Sequence, residues 1–350
     1  MSLELDDDLP GEDLPPPPVT RGHGPIEFEA RIKQEGIRID QFLAQQYPDY
    51  SRSTIQDAIK AGTVHVNGKT SKSSYKVRNH DLISIALPQP DHPMPVAEDI
   101  PLDILYDDEY LALVNKPPDM VVHPARGHWS GTLVNAISFH FNRLSMENGS
   151  YRAGIVHRLD RDTSGVILIA KEERTHRDLS EMFERRSVFK EYAALTAGVL
   201  DRDSDYIEAR IKHHPIDRVK MAVTYDPDDG EAKDACSYYE VVERFRGYTF
   251  VRVQPRTGRT HQIRVHLASI GCPVLADKTY GGRDSIRISD FKPDISAEED
   301  RVLMVRQALH AWRLRFKHPR LERWMEFEAP LPADFQAGLD ALRQYRALGA

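Results

Sequence analysis

Thiol chemistry is scarce in this chain: 350 residues hold two cysteines, Cys236 and Cys272. They are far apart and no Cys-x-x-Cys spacing exists, which excludes a disulfide framework and argues against a structural zinc site. No apolar run approaches the roughly 18 residues needed to span a membrane. The first residues carry neither a basic nor an apolar leader region, so a cytoplasmic location is the default expectation. A P-loop, a dinucleotide fingerprint and a repeat of fixed period are also missing, so nothing points to nucleotide energy or redox chemistry. Lys and Arg are absent from residues 1–20, which hold Glu4, Asp6, Asp7, Asp8, Glu12 and Asp13. Nearly all of the net charge of −7 therefore sits in that stretch, and the rest of the chain is close to neutral. A near-neutral body can still carry basic faces, so the overall sign does not exclude a nucleic-acid partner.

What is present divides into four parts. Residues 1–25 combine the acids with Pro10 and Pro15 to Pro18, a composition too polar to repay ordering entropy. Residues 26–87 read as a small module. Ile39, Phe42 and Leu43, then Ile55, Ala58 and Ile59, recur at helical spacing, and Ser51 or Ser53 can cap the second helix. Val64 to Val66 reads as a strand running into an Asn67-Gly68 hairpin turn, and Leu82 to Ile85 as a closing strand. Residues 31–80 hold nine Lys or Arg against four acids, a balance suited to backbone phosphate. Residues 88–101 carry five prolines and read as a semi-rigid linker. From residue 102 to 350, strand-like runs alternate with helical segments near 131–143, 174–186 and 261–269. That pattern gives an α+β domain with a mainly antiparallel sheet.

Chemistry concentrates in three stretches. In the first, Ile155-Val156 and Val166 to Ala170 flank His157-Arg158-Leu159-Asp160-Arg161-Asp162-Thr163-Ser164-Gly165, which reads as strand, polar loop and strand. In the second, residues 252–266 include four arginines and no acid. The loop Arg256 to Thr260 precedes a helix beginning near Thr260, an arrangement suited to an anion. In the third, Lys190-Glu191-Tyr192-Ala193-Ala194 puts a tyrosine on a strand, which by pattern alone reads as core.

His157-Arg158-Leu159-Asp160 followed by Thr163-Ser164-Gly165 resembles the catalytic loop of RluA-type pseudouridine synthases. Gly258-Arg259-Thr260-His261-Gln262-Ile263-Arg264 resembles a second motif of that family, and Lys190-x-Tyr192-x-Ala194 a third. Asn115-Lys116-Pro117, Asp217 to Val223, Tyr280-Gly281-Gly282 and Arg306 to Ala311 add matches in the same order. Two departures are small: Ala276 stands where Gly is usual before Asp277, and Ser237 where Thr is frequent. Arg38-x-Asp40, Ser51-Arg52-Ser53 and Gly62-x-Val64-x-Val66-Asn67-Gly68-Lys69 resemble the S4 RNA-binding domain. Together they place the chain nearest the RluD-like branch, which modifies large-subunit ribosomal RNA.

The resemblance implies an isomerase that converts RNA uridine to pseudouridine without metal or cofactor. It makes Asp160 the essential catalytic residue, as nucleophile or as electrostatic partner of the sugar, Arg264 the partner of that carboxylate, and Tyr192 the ring packed on the target base. RNA contacts are expected from His157, Arg158, Thr163, Arg256, Arg259, His261 and Lys116, and from Arg38, Arg52 and Lys69 in the S4-like module. RNA, as large-subunit ribosomal RNA or a ribosome precursor, is the expected partner, with no membrane and no small molecule. Two other classes stay open: a non-catalytic RNA-binding or ribosome-assembly protein, and a hydrolase using Asp160 with His157.

Overall fold

A computed structural model describes residues 25–32, 36–87, 94–125, 128–217 and 219–348. The acidic tail expected over residues 1–25 falls almost wholly outside the described residues. The described residues form two compact units. One comprises those up to Met94 together with Asn148–Tyr151, the other Pro95–Glu147 with Arg152 onward.

The first unit contains β1 (Ile26–Glu29), α1 (Ile39–Gln46), α2 (Arg52–Lys60), β2 (Val64–Val66), β3 (Lys69–Thr70) and β4 (Leu82–Ile85). The sheet order is β1-β4-β2-β3, antiparallel throughout. Ile39, Phe42 and Leu43 meet Ile55, Ala58 and Ile59 over Val64, Val66, Ile83 and Ile85 in one small core. Ser51 caps α2, its hydroxyl accepting the Thr54 amide at 3.0 Å. Asn67 and Gly68 both take positive φ, 50° and 75°, the geometry of the hairpin turn the dipeptide favours.

The second unit runs β5 (Asp103–Asp107), β6 (Leu111–Lys116), α3 (Leu133–His140), β7 (Ser164–Ala170), α4 (Glu173–Glu184), β8 (Phe189–Ala197), β9 (Ser204–Glu208), β10 (Arg210–His213), β11 (Met221–Thr224), β12 (Cys236–Phe245) and β13 (Tyr248–Pro255). It continues with α5 (Gln262–Ser269), β14 (Ile286–Arg287), α6 (Ile288–Phe291), β15 (Val302–Met304), β16 (Leu309–Lys317), β17 (Trp324–Glu328) and α7 (Ala333–Arg346). Among the described residues the main sheet has nine strands, ordered β5-β6-β7-β16-β8-β13-β12-β9, with β17 paired to β16. Only β7 and β16 run parallel, so the sheet is mixed and mainly antiparallel.

Strand β7 is apolar on both faces because it serves two cores. Ile167 and Ile169 pack with α3 residues Leu133, Val134 and Ile137. Val166, Leu168 and Ala170 pack with Leu179 of α4 and Phe316 of β16. The expected strand at Ile155-Val156 reduces to one isolated bridge, Ile155 to Ile169. Ser164 and Gly165, expected at the end of the polar loop, are instead the start of β7. Within the stretch expected as a linker, two residues are tied to α3: Asn135 donates its side-chain amide to Val96 O at 2.8 Å, and Glu98 N donates to Asn135 O at 3.0 Å. Among the described residues no helix is long and apolar enough to cross a membrane.

Gly165 sets how closely β7 and β16 approach. Its φ is +115°, and a Cβ there would lie 2.1 Å from Ala311 O. Ala311 in turn pairs with Tyr192 of β8, which pairs with Val253 of β13. A row of four residues thus joins the polar loop before β7 to the arginine-rich loop after β13. Gly165→Ala should lower stability by at least ~3 kcal/mol, from backbone strain plus overpacking. Denaturant unfolding of the full chain at neutral pH measures this.

Candidate active site

The polar loop before β7 is held residue by residue. Asp160 O accepts the Thr163 amide at 3.1 Å, closing a turn. Arg161 O accepts from Lys116 Nζ at 2.9 Å, and Asp162 O from Arg306 Nη1 at 3.1 Å. Gln307 Nε2 donates to Thr163 Oγ1 at 3.2 Å, and His310 Nδ1 meets Ser164 Oγ at 2.9 Å. Asp334 of α7 anchors Arg306 in turn, with two hydrogen bonds of 2.7 and 2.8 Å. The carboxylate of Asp160 is left at a fixed position in a cavity of about 600 Å³.

Arg264, on the first turns of α5, reaches that carboxylate. Its Nη1 donates to Asp160 Oδ2 at 3.0 Å. Its Nε and Nη2 donate to the two oxygens of Asp277 at 2.7 and 2.8 Å. Asp277 is fully buried and also accepts the amides of Thr279 and Tyr280. Burial disfavours the charged guanidinium, but the hydrogen bonds and charges of Asp277 and Asp160 outweigh it and raise the pKa of Arg264. Tyr192 lines the same cavity, and burial, then the charge of Asp160, raises its pKa, so its phenol keeps its proton. The structure thus brings Asp160, Tyr192 and Arg264 together. Arg158, Arg186, Lys190, Arg256 and Arg259 line the walls, making the cavity basic.

Three residues expected to contact RNA have other work. Lys116 is fully buried, and its Nζ donates to Pro117 O, Met120 O and Arg161 O at 2.8 to 2.9 Å. Burial pulls its pKa down to about 7, yet three carbonyl acceptors match the three protons of an ammonium. It ties the loop to the end of β6. The hydroxyl of Thr163 is buried against Gln307. His157 stacks on Phe183 with centroids 4.6 Å apart, and its Nε2 accepts the Leu168 amide at 2.9 Å. Burial lowers its pKa to about 3, so the ring is a weak base, and its one accepting nitrogen, Nε2, is already taken by the Leu168 amide and is not open to a water.

Other expected contacts keep an exposed face. Arg158 and Arg256 are exposed, and Arg256 also lies 5.9 Å from the Tyr238 ring. Arg259 bends back to donate to Asp234 O at 3.1 Å. The amides of this loop are not all free for an anion, because Gln262 Oε1 accepts both the Arg259 amide and the Thr257 hydroxyl. In the first unit Arg38 and Arg52 converge on buried Asp40 at 3.0 and 2.8 Å. Burial opposes ionisation of Asp40, but hydrogen bonds from Arg38, Gln56 and Arg52 hold its pKa well below the usual carboxylate range. Lys69 stands exposed on β3.

Sequence reasoning missed Asp277 as a partner of Arg264, and missed Arg186, Lys190 and Phe183 as cavity walls. Ala276 carried a faint signal, since its φ of +53° explains why glycine is usual there.

A carboxylate fixed by a buried guanidinium, beside a protonated tyrosine in a basic cavity, suits an enzyme acting on an anionic substrate. The comparisons with known proteins narrow this. Residues 110–269 match the family model for RNA pseudouridylate synthase, and residues 37–83 match the S4 domain. An uncharacterized RNA pseudouridine synthase of Bacillus subtilis is 41% identical, covering 91% of this chain and 98% of its own. The ribosomal large subunit pseudouridine synthase D of Pasteurella multocida is 39% identical, covering 91% and 95%. Among solved structures, human RNA pseudouridylate synthase domain containing 4 has a TM-score of 0.52 at 25% identity, covering 69% of this chain and 93% of that one. The chain belongs to the RNA pseudouridine synthase family: it is an isomerase acting on RNA, with an S4 domain in front of the catalytic domain.

Asp277→Ala should leave the buried Arg264 guanidinium half-paired, lowering stability by about 3–5 kcal/mol. Tritium release from RNA carrying 5-tritiated uridine should fall with it. Unfolding and tritium assays on the full chain check both.

Proposed function

We propose that this chain isomerises uridines of large-subunit ribosomal RNA, with Asp160 as the catalytic nucleophile. The observation that carries the reading is the Arg264–Asp160 pair set beside Tyr192 in a basic cavity. Relatives at about 40% identity named for the large ribosomal subunit support the substrate class. A cavity of this size admits one extruded nucleotide but no intact duplex, so the target uridine must leave its stack.

The chemistry is balanced within one nucleotide. The N1–C1′ bond of uridine breaks, the uracil rotates, and C5 bonds to C1′. The C5 proton then leaves and N1 gains one. Asp160 supplies the nucleophilic carboxylate, which bonds C1′ as the N1–C1′ bond breaks and is displaced when C5 bonds C1′, and Arg264 holds its orientation throughout. Tyr192 stacks on the uracil, and its protonated phenol is placed to relay the C5 proton. Arg158 and Arg256 reach the flanking backbone, and Arg259 and His261 hold the far wall. Arg38, Arg52 and Lys69 would contact backbone phosphate from the S4 domain, acting as a tethered second site.

Asp160→Asn removes the charge and keeps the shape. Tritium release should stop while affinity for the RNA stays within a few-fold of wild type. Release at near the wild-type rate would show that another group is the nucleophile. Pseudouridine mapping of ribosomal and transfer RNA, from cells with and without the protein, tests the substrate class.

The basic face of the S4 domain has its own signature. Lys69→Gln should weaken RNA binding and reduce the slope of log K against log salt by about 0.7–0.9, one phosphate contact's worth. Titrations over a range of salt concentrations measure it, and an unchanged slope would remove Lys69 from the interface.

A further inference from the structure

His261 adopts a backbone conformation that side chains rarely take. Its φ is +53° at the residue preceding α5, on the wall of the cavity that holds Asp160. A left-handed residue other than glycine costs about 1–3 kcal/mol and persists where its surroundings over-determine it. Here the preceding loop is locked by Gln262, whose side-chain amide bonds Cys236 O and Ser237 Oγ while its oxygen accepts from Thr257 and Arg259.

The ring of His261 is fixed as well. Its Nδ1 lies 3.1 Å from Tyr280 Oη, and the two rings meet edge to face. Tyr280 Oη already accepts the Met221 amide at 2.8 Å. The phenol proton needs an acceptor of its own, and Nδ1 is the one at hand. Burial pushes the Tyr280 pKa up to about 12, so that proton stays. Burial lowers the pKa of His261 against the opposing charge of Asp160, so the imidazole is neutral. Arg264, whose guanidinium lies 5.2 Å from the Tyr280 ring, and Arg158 add to that lowering, while Asp277 opposes it. A neutral imidazole that accepts at Nδ1 carries its proton on Nε2.

We infer that His261 is a specificity-determining donor, held by Tyr280 so that Nε2–H meets an oxygen acceptor of the extruded nucleotide. The inference rests on reading the cavity as a uridine site. It adds to that reading a hydrogen-bond donor beside the carboxylate–guanidinium pair, with Tyr280 as its positioning residue. The acceptor is an oxygen, supplied either by a carbonyl of the uracil or by the phosphate next to it.

Long-range proton–nitrogen spectra of the full chain labelled with nitrogen-15 histidine test the tautomer, His261 being assigned from the signal lost in His261→Gln. At neutral pH the ring should carry hydrogen on Nε2 alone, and Tyr280→Phe should release it to a mixture. A proton on Nδ1, or an imidazolium, overturns the inference. In steady-state kinetics His261→Phe should lose about tenfold in kcat/KM, the worth of one neutral hydrogen bond, and His261→Gln should recover most of it. Equal rates for wild type and His261→Phe overturn the donor role. The source of the oxygen is read from substrates carrying 4-thiouridine, 2-thiouridine or a methylphosphonate at the target. Loss of the His261 effect with a thio substrate assigns a uracil carbonyl, and loss with the methylphosphonate assigns the phosphate. An effect that survives all three substrates overturns the contact. The spectrum requires no turnover. A chain inactive on every RNA would therefore overturn the uridine reading, while the tautomer is judged separately.

Discussion

The catalytic domain is organised around one buried charge. Arg264 sits inside the protein, and a guanidinium there is tolerable only with its donors matched. Asp277 takes two of them and Asp160 a third. The first contact makes the charge affordable in the interior. The second transmits that fixed position to the carboxylate of Asp160 in the cavity. Since Asp277 is itself buried and bonded to the amides of Thr279 and Tyr280, the position of the Asp160 carboxylate depends on the turn after α5 being in place.

The same logic of satisfied donors explains the loop that carries Asp160. A loop this close to the core cannot leave its carbonyls and hydroxyls unpaired. Lys116, Arg306, Gln307 and His310 come from sequence positions on either side and take successive residues from Arg161 to Ser164. Cations that look like phosphate ligands in the sequence are thereby consumed as internal fasteners. The arginines left exposed around the cavity are Arg158, Arg186 and Arg256.

The first unit shows the opposite economy. Its two small helices need a buried acid, Asp40, to lock them, and Arg38 and Arg52 supply the counter-charge while remaining about half exposed. The same guanidinium groups hold the module together and contribute to its positive surface. The excess of basic residues there is thus partly a packing device, and Lys69 on β3 is an exposed cation without that second duty in the Asp40 cluster.

Much of this was legible in the chain. Asn67-Gly68 specifies its hairpin because both residues tolerate positive φ, and Ser51 its helix start because a hydroxyl can accept the Thr54 amide. The apolar run from Val166 to Ala170 could only be a strand covered on both faces. The nearness of Asp160, Tyr192 and Arg264 followed from the resemblance of their motifs, not from local pattern. Other features rested on pairing across long separations, which no local pattern encodes. Lys116 and Arg161 are forty-five residues apart, and Gln307 and Thr163 one hundred and forty-four. Whether a lysine binds a phosphate or a carbonyl depends on burial, and burial is a property of the assembled sheet. Composition and local spacing determined the elements and their chemical types. The tertiary structure decided which charged groups face the cavity and which are spent holding it, because only folding sets which donors lose water and must find partners inside.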